Sequence, residues 1–187
     1  MAEGEAITNH KVSVDSIDIN ASSGFGRINQ LSITPKNNNQ SFTLEAESVD
    51  LEIDNKTIKN ETLVINHVII NKPRLYLFKE NGKVSYPNEF LNSIQKEVSS
   101  LLQNVKNVEV TGQTNIYVKK ATIKDAEIMI KQDPQSEEVE QMTIVRKIQL
   151  PLEDIPQGEA AASSATRVLI QATQNLIQSY KELHPSE

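Results

Sequence analysis

Three histidines, His10, His67 and His184, are the side chains whose ordinary titration range lies near neutrality. They stand far apart in the chain, and none has a partner at the spacing of a metal site, so each reads as structural or solvated. Carboxylates cluster more closely. Glu45, Glu47, Asp50, Glu52 and Asp54 fall on one stretch, and Glu137, Glu138 and Glu140 on another. Such groups could serve acid–base chemistry or hold calcium. The first stretch lacks the glycine and terminal glutamate of an EF-hand loop, and both read as solvated faces. Nucleophilic catalysis finds no support: there is no Gly-x-Ser-x-Gly and no glycine-rich phosphate loop, and Gly24-Phe25-Gly26 is too short to be one. Cysteine is absent, which excludes disulfides, thiolate zinc sites, iron–sulfur clusters and cysteine nucleophiles. The Asn-x-Ser/Thr sites at Asn20, Asn39, Asn55 and Asn60 matter only on a eukaryotic secretory route. The residues therefore predict no catalytic, cofactor or metal site, and a protein that is not an enzyme.

With no chemistry to position, the elements themselves become informative. The 187 residues fit one domain with an appended helix, and the net charge of −6 argues against a nucleic-acid footprint. No apolar run approaches the roughly 18–20 residues that span a bilayer. The start, Met1-Ala2-Glu3-Gly4-Glu5, has neither the basic nor the apolar part of a signal peptide. Isoleucine and valine dominate the apolar content while tryptophan is absent, a balance that favours pleated sheet.

The pattern along the chain agrees. Residues 1–10 read as a loose arm. Val12 and Val14 alternate with polar residues, and Ile17 and Ile19 resume after a one-step slip of the kind a bulge or bend produces. Gly24-Phe25-Gly26 makes a turn, and 36–40 is a polar hairpin loop. Phe42, Leu44 and Ala46 alternate, and Val49, Leu51 and Ile53 follow after a second slip, giving one dry face and one acidic face. Ile58–Ile70 and Arg74–Phe78 continue as strands, with Pro73 marking a strand start, bulge or edge. Asn81-Gly82 suits a type I′ hairpin.

Pro87 then opens a helix to about residue 103, striped by Phe90, Ile94, Val98, Leu101 and Leu102. Strands return at 115–120, 122–131 and 139–150, and an amphipathic helix closes the chain over 159–187, its stripe made by Ala165, Leu169, Ala172, Leu176, Tyr180 and Leu183. The sheet domain thus covers 11–158. The predicted class is α+β: a long, twisted, mostly antiparallel sheet packed with two amphipathic helices.

An ungapped internal match pairs Ile65 with Val118, Val68 with Ala121, Ile70 with Ile123, Leu75 with Ile128 and Leu77 with Ile130. It reads either as a repeated strand–strand–helix module or as the coincidence that any two amphipathic hairpins allow.

Residues 24–91 resemble the AsmA-like proteins of the Gram-negative envelope, including the TamB-like and YdbH-like repeating β-groove proteins. The resembling residues are the glycine-started strand Gly24–Ile28, the strand ending Asp50-Leu51-Glu52-Ile53, and Ile65–Leu77 with Pro73. Asn81-Gly82-Lys83 ahead of a helix completes the set, and Ile148-Gln149-Leu150-Pro151-Leu152 before the last helix is similar to the ending of short members. The resemblance implies a periplasmic β-groove module, either a short single-module member or a trimmed periplasmic domain, inner-membrane anchored in the full-length protein, with roles in phospholipid transport or outer-membrane homeostasis.

The apolar faces are the place where such an activity would reside. If the two helices cover them, they form an ordinary core; if not, they form a trough for acyl chains of a phospholipid. Leu75, Leu77, Ile128, Ile130 and Ile148 are the expected lining. Exposed Leu169, Leu176 and Leu183 on the last helix would instead mark a docking face for an envelope partner or a second copy.

Overall fold

The computed structural model of the chain describes residues 10–35, 42–86, 115–133, 135–150 and 161–185. Among the described residues, nine strands form one sheet: β1 (His10–Ser13), β2 (Ser16–Asn20), β3 (Phe25–Pro35), β4 (Phe42–Ile53), β5 (Thr62–Glu80), β6 (Lys83–Ser85), β7 (Asn115–Val118), β8 (Ala121–Lys131) and β9 (Val139–Leu150). The described helix, α1, spans Ala161–Leu183. The order across the sheet is β1-β3-β4-β5-β8-β9, with β2 beside β3 and both β6 and β7 beside β5. The predicted helix at 87–103 lies outside the described residues; among the described residues one helix, α1, packs on the sheet.

The sheet is mixed. β3, β4 and β5 make an antiparallel meander, and β8 and β9 pair antiparallel, yet β5 pairs in parallel with both β7 and β8. A parallel join requires a long crossover, and the chain between β6 and β7 is long enough to make one. The parallel register carries the internal match residue for residue: Ile65 faces Val118, Val68 faces Ala121, Ile70 faces Ile123, Leu75 faces Ile128 and Leu77 faces Ile130. The two similar segments lie side by side, and polar pairs at the same separation clip them together. Lys119 donates to Asn66 at 2.9 Å, and Arg74 donates to Glu127 at 2.9 Å.

Where two separate strands are predicted, the chain runs as one strand of 19 residues, about 60 Å at 3.3 Å per residue. Pro73 sits inside it, between β4 and β8, because the bulge at Lys72 removes the need for its missing donor. Lys72 has φ 43°, Gln30 on β3 has φ 51° and Asp125 on β8 has φ 51°. The pairing skips each of them: β3–β4 passes from Asn29↔Ser48 to Leu31↔Ala46, and β8–β9 from Lys124↔Lys147 to Ala126↔Val145. Gln30, Glu47, Lys72, Asp125 and Arg146 therefore form one line of irregularity across five strands. Each bulged strand spends one residue there, so the same face stays dry above and below the line. This is the physical cause of the slip between Ala46 and Val49.

Turns follow their residues. Asn81 and Gly82 both have positive φ and join β5 to β6 as a tight hairpin. The first slip, expected at Asp15-Ser16, is a break at Val14-Asp15 between β1 and β2, which both pair with β3. Gly24, at φ 67°, starts β3, and its carbonyl accepts from the Ile53 N–H at 2.7 Å. After β4, Asp54 caps a 3-10 turn at Asn55–Thr57, so β5 begins at Thr62, four residues later than the predicted Ile58.

Candidate apolar binding face

Because directly paired residues share a face, the register writes out the dry side row by row. One row is Ile17–Ile28–Val49–Ile70–Ile123–Ile148, β-branched across six strands. The next is Ile19–Gly26–Leu51–Val68–Ala121–Leu150. Helix α1 packs against β7, β8 and β9 and lays Val168, Ala172, Leu176, Ile177 and Tyr180 on that end of the rows. Its last turn is pinned by polar contacts to β9. The Tyr180 hydroxyl donates to Gln141 Oε1 at 3.4 Å, and His184 Nε2 lies 3.0 Å from Thr143 Oγ1.

From β8 outward to β2, side-chain exposure rises along both rows. Ile123 and Ala121 are sealed, Val49 and Val68 are buried, Ile28 and Leu51 are half-buried, and Ile17 and Ile19 are 57% and 65% exposed. The dry face thus ends, on the β2 side, in an apolar shelf of Ile17, Ile19, Ile28 and Leu51, with Ile53 half-buried beside them.

The expected lining lies elsewhere. Leu75, Leu77, Ile128 and Ile130 all have 0% exposure and belong to the hydrophobic core. Ile148 is half-buried and packs on that core. Leu176 is sealed under α1, not presented outward, while Leu183 at the helix end is exposed. Leu169 lies within α1, and its side chain is outside the described residues. The shelf residues carry the same alternation as every other strand residue, so only the strand order, which leaves β2 at the margin, distinguishes them.

The opposite face is polar and internally paired. Arg27 makes a two-pronged contact with Asp50 at 2.6 and 3.1 Å, and Asn71 donates to Asp50 at 3.0 Å and to Ser48 at 3.1 Å. The Arg27 hydrogen bond holds the Asp50 carboxyl below its usual range, against the opposing effect of burial. Lys72 pairs with Glu47 at 3.1 Å. Lys79 pairs with Glu140 on the other side of the sheet, where Lys79 stands opposite Val84 of the core. His67 Nε2 lies 2.8 Å from Thr122 Oγ1, and partial burial lowers its pKa despite Glu52 nearby. His67 and His184 occupy opposite faces. Among the described residues, no three His, Asp or Glu side chains converge as metal ligands would.

No protein-family model matches this chain, and no curated protein matches it significantly.

Proposed function

We propose that this chain is a non-enzymatic module of the periplasmic envelope, acting in lipid transport or outer-membrane homeostasis within a larger membrane-anchored assembly. The observation that supports the reading is the shelf: Ile17 and Ile19 continue the dry face past the part that α1 covers, and stand in water. Each acyl methylene laid on such a surface gains about 0.8 kcal/mol when fully buried. Because the central rows are already sealed, the shelf, and not Leu75 or Ile128, is the surface left to an acyl chain of a phospholipid.

The test uses the whole chain, extracted gently and examined by native mass spectrometry, beside Ile17→Asp/Ile19→Asp. Phospholipid should accompany the natural sequence and be lost from the double variant, with circular dichroism unchanged. Natural-sequence protein that carries no phospholipid even after incubation with phospholipid vesicles would rule out direct lipid carriage. A second reading, an interaction module without lipid of its own, is favoured by a separate observation at the other margin of the sheet: Met142 and Ile144 on β9 are more than half exposed.

A further inference from the structure

The two margins of the sheet are built differently. At one, β1 and β2 are only 4 and 5 residues long, are broken at Val14-Asp15, and carry Asp18, features that discourage pairing with a further strand. At the other, β9 runs for 12 residues and among the described strands pairs with β8 alone. Among the described strands, its outer row of backbone N–H and C=O groups faces no partner. β9 also carries Val139, Met142 and Ile144, three of the eight large apolar residues that stand exposed among the described residues. Met142 and Ile144 project from the charged face, where Met142 stands opposite Met129 and Ile144 opposite Glu127. Among the described residues, both stay more than half exposed there.

We propose that β9 is a self-association edge whose occupant is β9 of a second copy, added antiparallel about a twofold axis through Thr143. An antiparallel partner must keep face matched to face, which limits the register to pairs whose numbers have an even sum over Gln141–Val145, between the irregularities at Glu140 and Arg146. The register centred on Thr143 sets Met142 opposite Ile144 of the other copy, and Ile144 opposite Met142. The exposed apolar pair of each chain thus covers that of the other on the charged face. The same register sets Gln141 opposite Val145 on the other face, and no like charges meet within Gln141–Val145. Centring one residue earlier, on Met142, carries Ile144 past the regular stretch to the irregularity at Glu140 and loses the match. A contact related to itself by a twofold closes at two copies, so it blocks the edge rather than extending it into a fibre. This contact lies at the margin opposite the shelf and does not depend on what fills the shelf.

The test is sedimentation equilibrium of the full chain over a range of concentrations, with and without added phospholipid. A monomer–dimer equilibrium is expected in both conditions. Ile144→Lys should weaken it about tenfold or more, because two symmetry-equivalent pairs are lost. The register is read separately by oxidising an equimolar mixture of Met142→Cys and Ile144→Cys in a chain that has no other cysteine. Directly opposed positions fall within disulfide reach, so the mixture should yield covalent dimer well above either variant alone. A natural chain that stays monomeric at its highest soluble concentration, an Ile144→Lys variant that dimerises as tightly, or crosslinking no better in the mixture each overturns the proposal.

Discussion

Replacing Ile128 by alanine distinguishes a sealed core from an open trough. Ile128 has no exposed surface, pairs with Leu75 on one side and Thr143 on the other, and sits in the β8 end of the face that α1 covers. The substitution removes three carbons. At about 0.8 kcal/mol each, the lost transfer term is about 2.4 kcal/mol. A void that fails to collapse adds up to about 1.5 kcal/mol, so the total falls at about 2.4–4 kcal/mol, within the usual range for buried aliphatic truncations. Urea unfolding followed by circular dichroism measures this directly, and thermal unfolding should shift down by roughly 5–16 °C for a chain of this size. Ile17→Ala is the control, since a side chain already 57% exposed should cost about 0.5 kcal/mol or less. A loss under about 1 kcal/mol for Ile128→Ala, accompanied by weaker phospholipid binding, would mean that Ile128 lines an open channel, and the reasoning that places the lipid surface on the shelf would fail.

Three further outcomes are expected. Gly24→Ala should destabilise the fold by about 2 kcal/mol or more, because the residue has positive φ and an added Cβ would collide with the Ile53 carbonyl oxygen; chemical denaturation that finds no loss would refute this account of the turn. Lys72→Val should cost about 1–2 kcal/mol, since a β-branched residue resists positive φ, whereas Lys72→Gly should change stability by less than about 0.5 kcal/mol, relief of φ offsetting lost rigidity; equal effects would remove the bulge line as a structural device. Acid should weaken the protein by two routes of the same sign. The Asp50 pKa is depressed by the Arg27 hydrogen bond, so its contribution is present above the unfolded carboxyl range and is lost as pH falls through the depressed folded value. The His67 pKa is depressed by burial, so the unfolded chain binds the proton first and stability begins to fall below about pH 6.5. His67→Gln should flatten the upper part of that profile while leaving the Asp50 part, and an unchanged profile between pH 7 and 5 would contradict the His67 assignment.

Much of the architecture is legible from residue pattern alone. The alternation of Phe42, Leu44 and Ala46, its slip before Val49, the Asn81-Gly82 turn and the stripe of the last helix each report a local rule: side-chain period, bulge, left-handed turn residue, helical repeat. The match between 65–77 and 118–130 was equally visible, and its offset turns out to be the register in which β5 and β8 lie against each other. The pattern could not say that the join is parallel, because parallel and antiparallel strands share the same period of two. Nor could it merge the segments on either side of Pro73, since a proline ends a central strand unless a neighbouring bulge absorbs the missing donor.

Alternation establishes that one side of each strand is greasy, and thereby selects sheet, turns and the amphipathic helix, before any coordinate is known. It is silent on which greasy residues meet water. Leu75, Ile128, Ile17 and Ile144 look alike in sequence; the first two are sealed in the core, Ile17 is exposed because β2 lies at the margin away from α1, and Ile144 because it projects from the face opposite α1. Burial depends on what lies across and above a residue, and those neighbours come from remote parts of the chain. Local periodicity therefore decides the elements, and long-range pairing alone decides which of their faces remain for a ligand or a partner.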